Sequence, residues 1–428
     1  MTIIGNKNIL NENVHHTPAP NPRFFYGYIV VAASFVIMVV AQGVYIVFGI
    51  FFNPLLEEFG WTRAVISGAY SLSSIIQGVL GIAMGGLVDR FGPRIVVTVC
   101  GVFLGAGYIL MSQINTEWQI YLFYGVIAGI GMSGLWVPLL SPISRWFVAR
   151  RSLMTGIVMS GMTIGGVAAP LIVSRLIIAY DWRLTFIIIG GVALVGIVLF
   201  AQFLKRDHGR PGQLTDVPGE DMSTKSPPAI IGYNFKEAIH TVQFWLCFGI
   251  LFCFGYSILA IVVHLVPYIT GLGFSDVSAA GVLAVNNGVG IIGNFFVGGI
   301  IGDRIGNRKV LLIGFVLAIA SLVWLLPSRE LWMFHLFAII LGIAAGSVGT
   351  SESPLVARLF GLKNHGLLYG VFVLGFSIGG AAGPFVTGYI YDVSRSYHSA
   401  FLVCIAFMFV GFVLIVLLRP TRKVGTVL

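Results

Sequence analysis

An all-α membrane protein of twelve transmembrane helices, built as two six-helix pseudo-repeats, is the fold class that this sequence predicts. Three observations predict it. Of the 428 residues, 57% are hydrophobic and 10% charged, where a soluble domain carries about 25% charged residues. Apolar runs of about 20 residues, long enough to cross a bilayer, recur twelve times. Two separate motifs also repeat between the halves at one offset.

In the first half the spans read near residues 25–52, 65–88, 95–113, 119–144, 153–178 and 184–204. In the second they read near 243–270, 278–302, 309–327, 331–356, 366–391 and 399–418. None has the alternating polarity of a barrel strand, so helices, which satisfy their own backbone, are the form that lipid allows. The 55 glycines suit helices that approach one another closely. Residues 1–23 are polar and lack the apolar core of a signal peptide, so they read as a cytoplasmic tail. Residues 205–242, rich in Pro and Gly, read as a cytoplasmic linker whose NFKEAIH segment lies along the membrane surface. The expected units are thus the tail, a bundle at 24–204, the linker, a bundle at 243–418, and a cytoplasmic tail at 419–428.

Charge gives the topology. The formal charge is +9, with 25 Lys and Arg. Five of them, Arg63, Arg175, Arg183, Arg329 and Arg395, fall in one set of loops; the other twenty fall with the two termini and the linker. The excess places both termini in the cytoplasm. The basic balance therefore marks topology and not a nucleic-acid footprint. Cys100, Cys247, Cys253 and Cys404 all lie inside spans, which argues against a disulfide framework or a zinc site.

The internal repeat is specific. GGLVDRFGPR at 85–94 matches GGIIGDRIGNR at 298–308, and GMTIGGVAAP in span 5 matches GFSIGGAAGP in span 11. Asp89 to Asp303, Gly165 to Gly379 and Pro170 to Pro384 all differ by 214 positions. Six spans separate the copies, so they face the same side. Parallel repeats of this kind place a substrate at the midplane between halves that rock.

These residues resemble the major facilitator superfamily over about 24–418. The resemblance rests on Gly86, Asp89, Arg90, Gly92 and Arg94, and on Gly299, Asp303, Arg304, Gly306 and Arg308. YGYIVV…FGIFFNPLLEEFGWTR at 26–63, RWFVARRSLMTGIVMSG at 145–161 and HLVPYITGLGFS at 264–275 are similar to the bacterial monocarboxylate transporter-like branch. The resemblance implies a bacterial inner-membrane transporter. It also implies an arginine in span 8 of members that carry carboxylates, where this chain has Asn294.

Candidate residues follow from chemistry at depth. Asp89, Arg90 and Arg94, with Asp303, Arg304 and Arg308, form the expected gate. An aspartate there can accept hydrogen bonds from arginine or from a neighbouring helix N-terminus; the plain alternative is that the loops only fix turns. Glu352 is an ionisable group about four residues inside span 10 and His264 lies near the outer part of span 7; both are proton-coupling candidates. Against this, Glu352 could pair with Arg358, and His264 could be a satisfied structural histidine. Gln42, Tyr45, Tyr70, Tyr256, Asn286, Asn287 and Asn294 are the substrate-binding candidates, with Gln77 nearby. Asn287 and Asn294, seven apart, share a helix face.

No nucleotide-binding loop, zinc-protease motif or nucleophile elbow is present in the sequence, so no enzyme chemistry, cofactor or metal is expected. The expected function is secondary active transport of a small organic anion, a mono- or dicarboxylate, with a proton and by alternating access. A proton-coupled exporter of neutral or amphipathic compounds is the second reading, and a static membrane receptor or scaffold is a third. The expected partners are the solute, a proton or other coupling ion, and lipid, with the chain acting as a monomer.

Overall fold

The computed structural model describes residues 25–206 and 232–419. The tail at 1–23, most of the linker and nearly all of 419–428 lie outside the described residues. Among the described residues, twelve helices are long and apolar enough to cross a membrane. In the first half they are α1 (Gly27–Phe51), α2 (Val65–Phe91), α3 (Pro93–Met111), α4 (Glu117–Trp146), α5 (Arg151–Tyr180) and α6 (Trp182–Ala201). In the second they are α7 (Val242–Gly271), α8 (Val277–Ile305), α9 (Asn307–Leu325), α10 (Leu331–Phe360), α11 (His365–Ser394) and α12 (Tyr397–Leu417).

Local chemistry sets the boundaries. The Thr62 hydroxyl accepts from the Val65 amide ahead of α2, and Thr241 does the same for Phe244 in α7. Gly92 ends α2 at φ +82° and Gly306 ends α8 at φ +90°. That left-handed region favours glycine, and the two turns are again 214 positions apart. Several helices outrun their apolar windows. α4, α5, α7, α10 and α11 each have 30 residues, which at 1.5 Å per residue is about 45 Å. A hydrocarbon core is about 30 Å thick, so their ends stand clear of it. Arg175, expected in a loop, is therefore inside α5 and exposed.

Within each half the packing is parallel in plan. α1 lies on α5 and α3 on α6; correspondingly α7 lies on α11 and α9 on α12. The halves meet along α2 with α11 and along α5 with α8. These seams are tightest on the side that carries the linker. A Cβ on Gly85 would stand 2.2 Å from the Gly366 carbonyl oxygen, and one on Gly156 would stand 2.3 Å from that of Asn294. Farther along α8, Gly288 and Gly281 have nothing within 4 Å. The halves are closed on the linker side and diverge toward the far side. At the linker's end, Phe235–Ile239 forms one short helix, and the Tyr233 amide donates to the Phe360 carbonyl at the base of α10.

Candidate functional site

The linker-side closure is built from two matching caps. Asp89, in the last turn of α2, accepts from the amides of Gly366 (3.3 Å) and Leu367 (3.0 Å). These amides open α11 in the other half. Asp303, in the last turn of α8, accepts from the amides of Ser152 (2.8 Å) and Leu153 (3.0 Å), which open α5. Donors and acceptors are both related by 214 positions. Each carboxylate thus meets unpaired N–H groups at the positive end of a helix dipole.

The two caps are not equal. Arg145 donates to Asp89 at 2.8 Å, with only 5% of the arginine side chain exposed. Asp303 has no ion-pair partner among the described residues; instead Asn307, almost fully buried, donates to the Ser152 hydroxyl at 2.8 Å. The basic residues of the two loops stay out of the seam. Arg94 donates to Gln202 of its own half. Arg308 donates to the Ile415 and Val416 carbonyls of its own half. Arg90 lies over the Phe91 ring, and Arg304 is exposed. Expected as a sixfold gate, the set reduces across the seam to its two aspartates.

Glu352 sits eight residues from the end of α10, about 12 Å along the axis, deeper than the sequence window implied. It does not pair with Arg358. Its carboxyl accepts from the Tyr369 hydroxyl at 3.3 Å, and that hydroxyl accepts from the Trp136 indole N–H at 3.1 Å. Trp136 belongs to α4, so the chain of hydrogen bonds crosses between the halves. Glu352 is buried, and with Cys247, Leu251, Leu311 and Phe372 it lines a small cavity.

Asn294 stands at the seam. Its amide N–H donates toward the Thr163 hydroxyl of α5 at 3.4 Å, and its side-chain oxygen accepts from Thr350 of α10 at 3.1 Å. It lies within the wide helical turns of Gly293–Ile301, with i→i+5 hydrogen bonds, a feature that recurs at functional sites. Asn287, two turns toward the far side on the same face, is exposed. Tyr45 and Tyr70 pack ring to ring at 5.6 Å, with the Tyr45 hydroxyl 3.4 Å from that of Ser74. Tyr70 is 40% exposed, and Gln42 and Gln77 are partly buried.

Three candidates belong elsewhere. Tyr256 is buried inside the second half, its ring stacked on Phe407 at 4.0 Å. Asn286 donates to the Ala338 carbonyl within the same half. His264 places Nε2 at 2.9 Å from the Pro384 carbonyl and Nδ1 at 3.3 Å from the Tyr397 hydroxyl, again within one half. In the sequence Tyr256 and Asn286 read as polar groups for a cavity and His264 as a titratable group near the outer part of span 7; packing inside one bundle uses all three for helix–helix contacts.

The sequence profile of the Major Facilitator Superfamily matches residues 33–301 and 291–427. The chain belongs to the Major Facilitator Superfamily. As a superfamily member it is an integral membrane transporter and not an enzyme. The oxalate:formate antiporter of Oxalobacter formigenes is 26% identical, over 94% of this chain and 94% of that one. Monocarboxylate transporter 13 of Rattus norvegicus is 25% identical, over 93% and 90%. The chain is thus similar to monocarboxylate transporter-like members of the superfamily. The solved proton:xylose symporter XylE superposes with a TM-score of 0.75 at 12% identity, covering 93% of this chain and 97% of that one, which shows the shared fold.

Proposed function

We propose that this protein is a secondary active transporter that moves a small organic acid together with a proton by alternating access. Bundles at 24–204 and 243–418 rock about a site at the seam. The paired caps carry the reading: two aspartates related by the internal repeat each hold a helix start in the opposite half, so one rocking motion breaks both. Asp89 and Asp303 act as the gate. Asn294 and Asn287, with Gln42, Tyr45 and Tyr70, form the substrate-facing surface. Glu352 carries the proton, because an enclosed carboxyl with a single donor is costly to keep charged. The basic linker side faces the cytoplasm of a bacterial inner membrane, and one chain surrounded by lipid suffices for the cycle.

One observation favours the second reading, export of neutral or amphipathic compounds. Asn294 takes the place of the cation that carboxylate carriers are expected to have, and its hydrogen-bond partners are Thr163 and Thr350. Uptake by proteoliposomes under an imposed pH gradient decides between them. Labelled oxalate, formate and lactate are compared with a neutral sugar, using wild type and Glu352→Gln. Gradient-driven acid uptake that loses its pH dependence in Glu352→Gln is the expected result. Uptake of an acid with an unchanged pH profile in that variant removes Glu352 from the mechanism, and transport of neutral solutes alone selects export.

A further inference from the structure

His365 is the first residue of α11, directly ahead of the two amides that Asp89 caps. Its side chain is fully buried. Nε2 lies 3.0 Å from the Ser353 carbonyl of α10. A carbonyl only accepts, so Nε2 carries a hydrogen. Nδ1 lies 3.1 Å from the hydroxyl of Ser141 in α4, across the seam, and in the neutral ring accepts from it. Three residues along α4, the Ser144 and Ser353 hydroxyls meet at 3.1 Å. The imidazole therefore ties α4 of one half to α10 and α11 of the other. At the position related by the repeat stands Arg151, whose Nε donates to the Ser144 and Phe147 carbonyls of its own half. The two-fold pattern breaks here, where the imidazole crosses the seam and the arginine does not take its place.

We propose that His365 is a proton-operated latch on the linker-side closure: the neutral ring holds α4 against α10 and α11, and protonation releases it. The surroundings give the reason. Arg145 of α4 and Arg151 of α5 act electrostatically on the ring, and it stands at the positive end of the α11 dipole. The Tyr369 ring lies alongside at 6.1 Å. Of the nearby acids, Asp89 of α2 is engaged by Arg145 and the α11 amides. Glu352 of α10 takes its hydrogen bond from Tyr369. An added positive charge in this buried seam would have no carboxylate of its own. Opening the seam to water relieves the conflict, so acid on the linker side favours the open form.

This inference rests on the alternating-access reading, and its test separates the two. Nitroxide labels at Val148→Cys and Lys363→Cys, exposed positions in opposing linker-side loops, report the width of the seam by pulsed electron resonance. In otherwise native protein, lowering the pH from about 8 to about 5, the range in which histidine changes charge, is expected to shift the population from short to long distances by tenfold or more. His365→Gln keeps one donor and one acceptor but cannot titrate; it is expected to hold the short distance at both pH values. Ser141→Ala is expected to raise the long-distance fraction at pH about 8 and to remain pH-responsive. A Glu352→Gln background is expected to retain the response, which assigns it to the histidine. A wild-type response persisting unchanged in His365→Gln overturns the latch, as does no response in wild type. Uptake of labelled lactate by the same variants is the independent readout: transport without a pH-dependent seam sinks the latch alone, and a rigid seam without transport of any solute sinks the transporter reading beneath it.

Discussion

Asp89 and Asp303 make the same pair of backbone contacts, yet only Asp89 is joined by a buried arginine. Replacing Asp89 with asparagine weakens charge-assisted bonds worth about 1.5–3 kcal/mol and leaves Arg145 buried without a counterion. Asp303→Asn loses only the first contribution. At about 1.4 kcal/mol per tenfold, Asp89→Asn is expected to shift the closed-to-open ratio by tenfold or more, and by more than Asp303→Asn. Maleimide labelling of a cysteine in the linker-side seam measures both shifts; equal shifts would refute the asymmetry. The repeat offset made both aspartates legible in the sequence. The kind of partner, an arginine or a helix N-terminus, was legible as well; which amides serve was not, because a backbone amide carries no residue signature. His365 went unread for a related reason: in GLKNHG it looks like a polar loop residue, and only the tertiary fold turns that loop into the buried start of a helix.

Among the elements, membrane helices were legible wherever apolar runs were long, and their ends were not. The sequence window closed span 2 at residue 88, before its charged residues, whereas α2 continues to Phe91 and stops at Gly92, where the backbone turns left-handed. α10 likewise runs past Arg358, whose long stem lets its charged head reach the interface. The short helix Phe52–Phe59 between α1 and α2 falls almost wholly in the stretch that the sequence read as the loop between spans 1 and 2. It is held on the far side by Arg183, which donates to Glu58 at 2.7 Å, and by the Trp182 indole. The hydrogen bond from Arg183 holds the Glu58 carboxyl below its usual range, against a smaller opposing effect of burial. A depressed carboxyl stabilises the fold above its unfolded value, about 4.3, and that contribution is lost as the pH falls through the lower folded value. The pair is part-exposed, so the effect is small. Glu58→Gln is expected to melt slightly below wild type at pH about 7 and level with it at about 3. A gap that stays constant across that range would show that the ion pair does not hold this helix.

At the scale of the molecule, the two-bundle plan was legible from composition, charge bias and the 214-residue offset, and the closed linker side was not. Which face is sealed depends on contacts between helices far apart in the chain, and one sequence serves every state of the cycle. Each bundle packs its own α1–α5 or α7–α11 contact, so the halves are expected to assemble when made separately. Co-expression of residues 1–217 and 218–428 should restore uptake to a measurable fraction of wild type; no uptake from two stably inserted halves would mean that the linker does more than connect. The caps also impose an order in time. The Ser152 amide is satisfied by an aspartate 151 residues downstream, and at about 5–20 residues per second that partner leaves the ribosome roughly 8–30 s later. Throughout that interval the nascent first half carries an uncapped helix start at the membrane surface. The unfinished chain therefore differs from the finished one at the α5 start, whose cap the second half supplies.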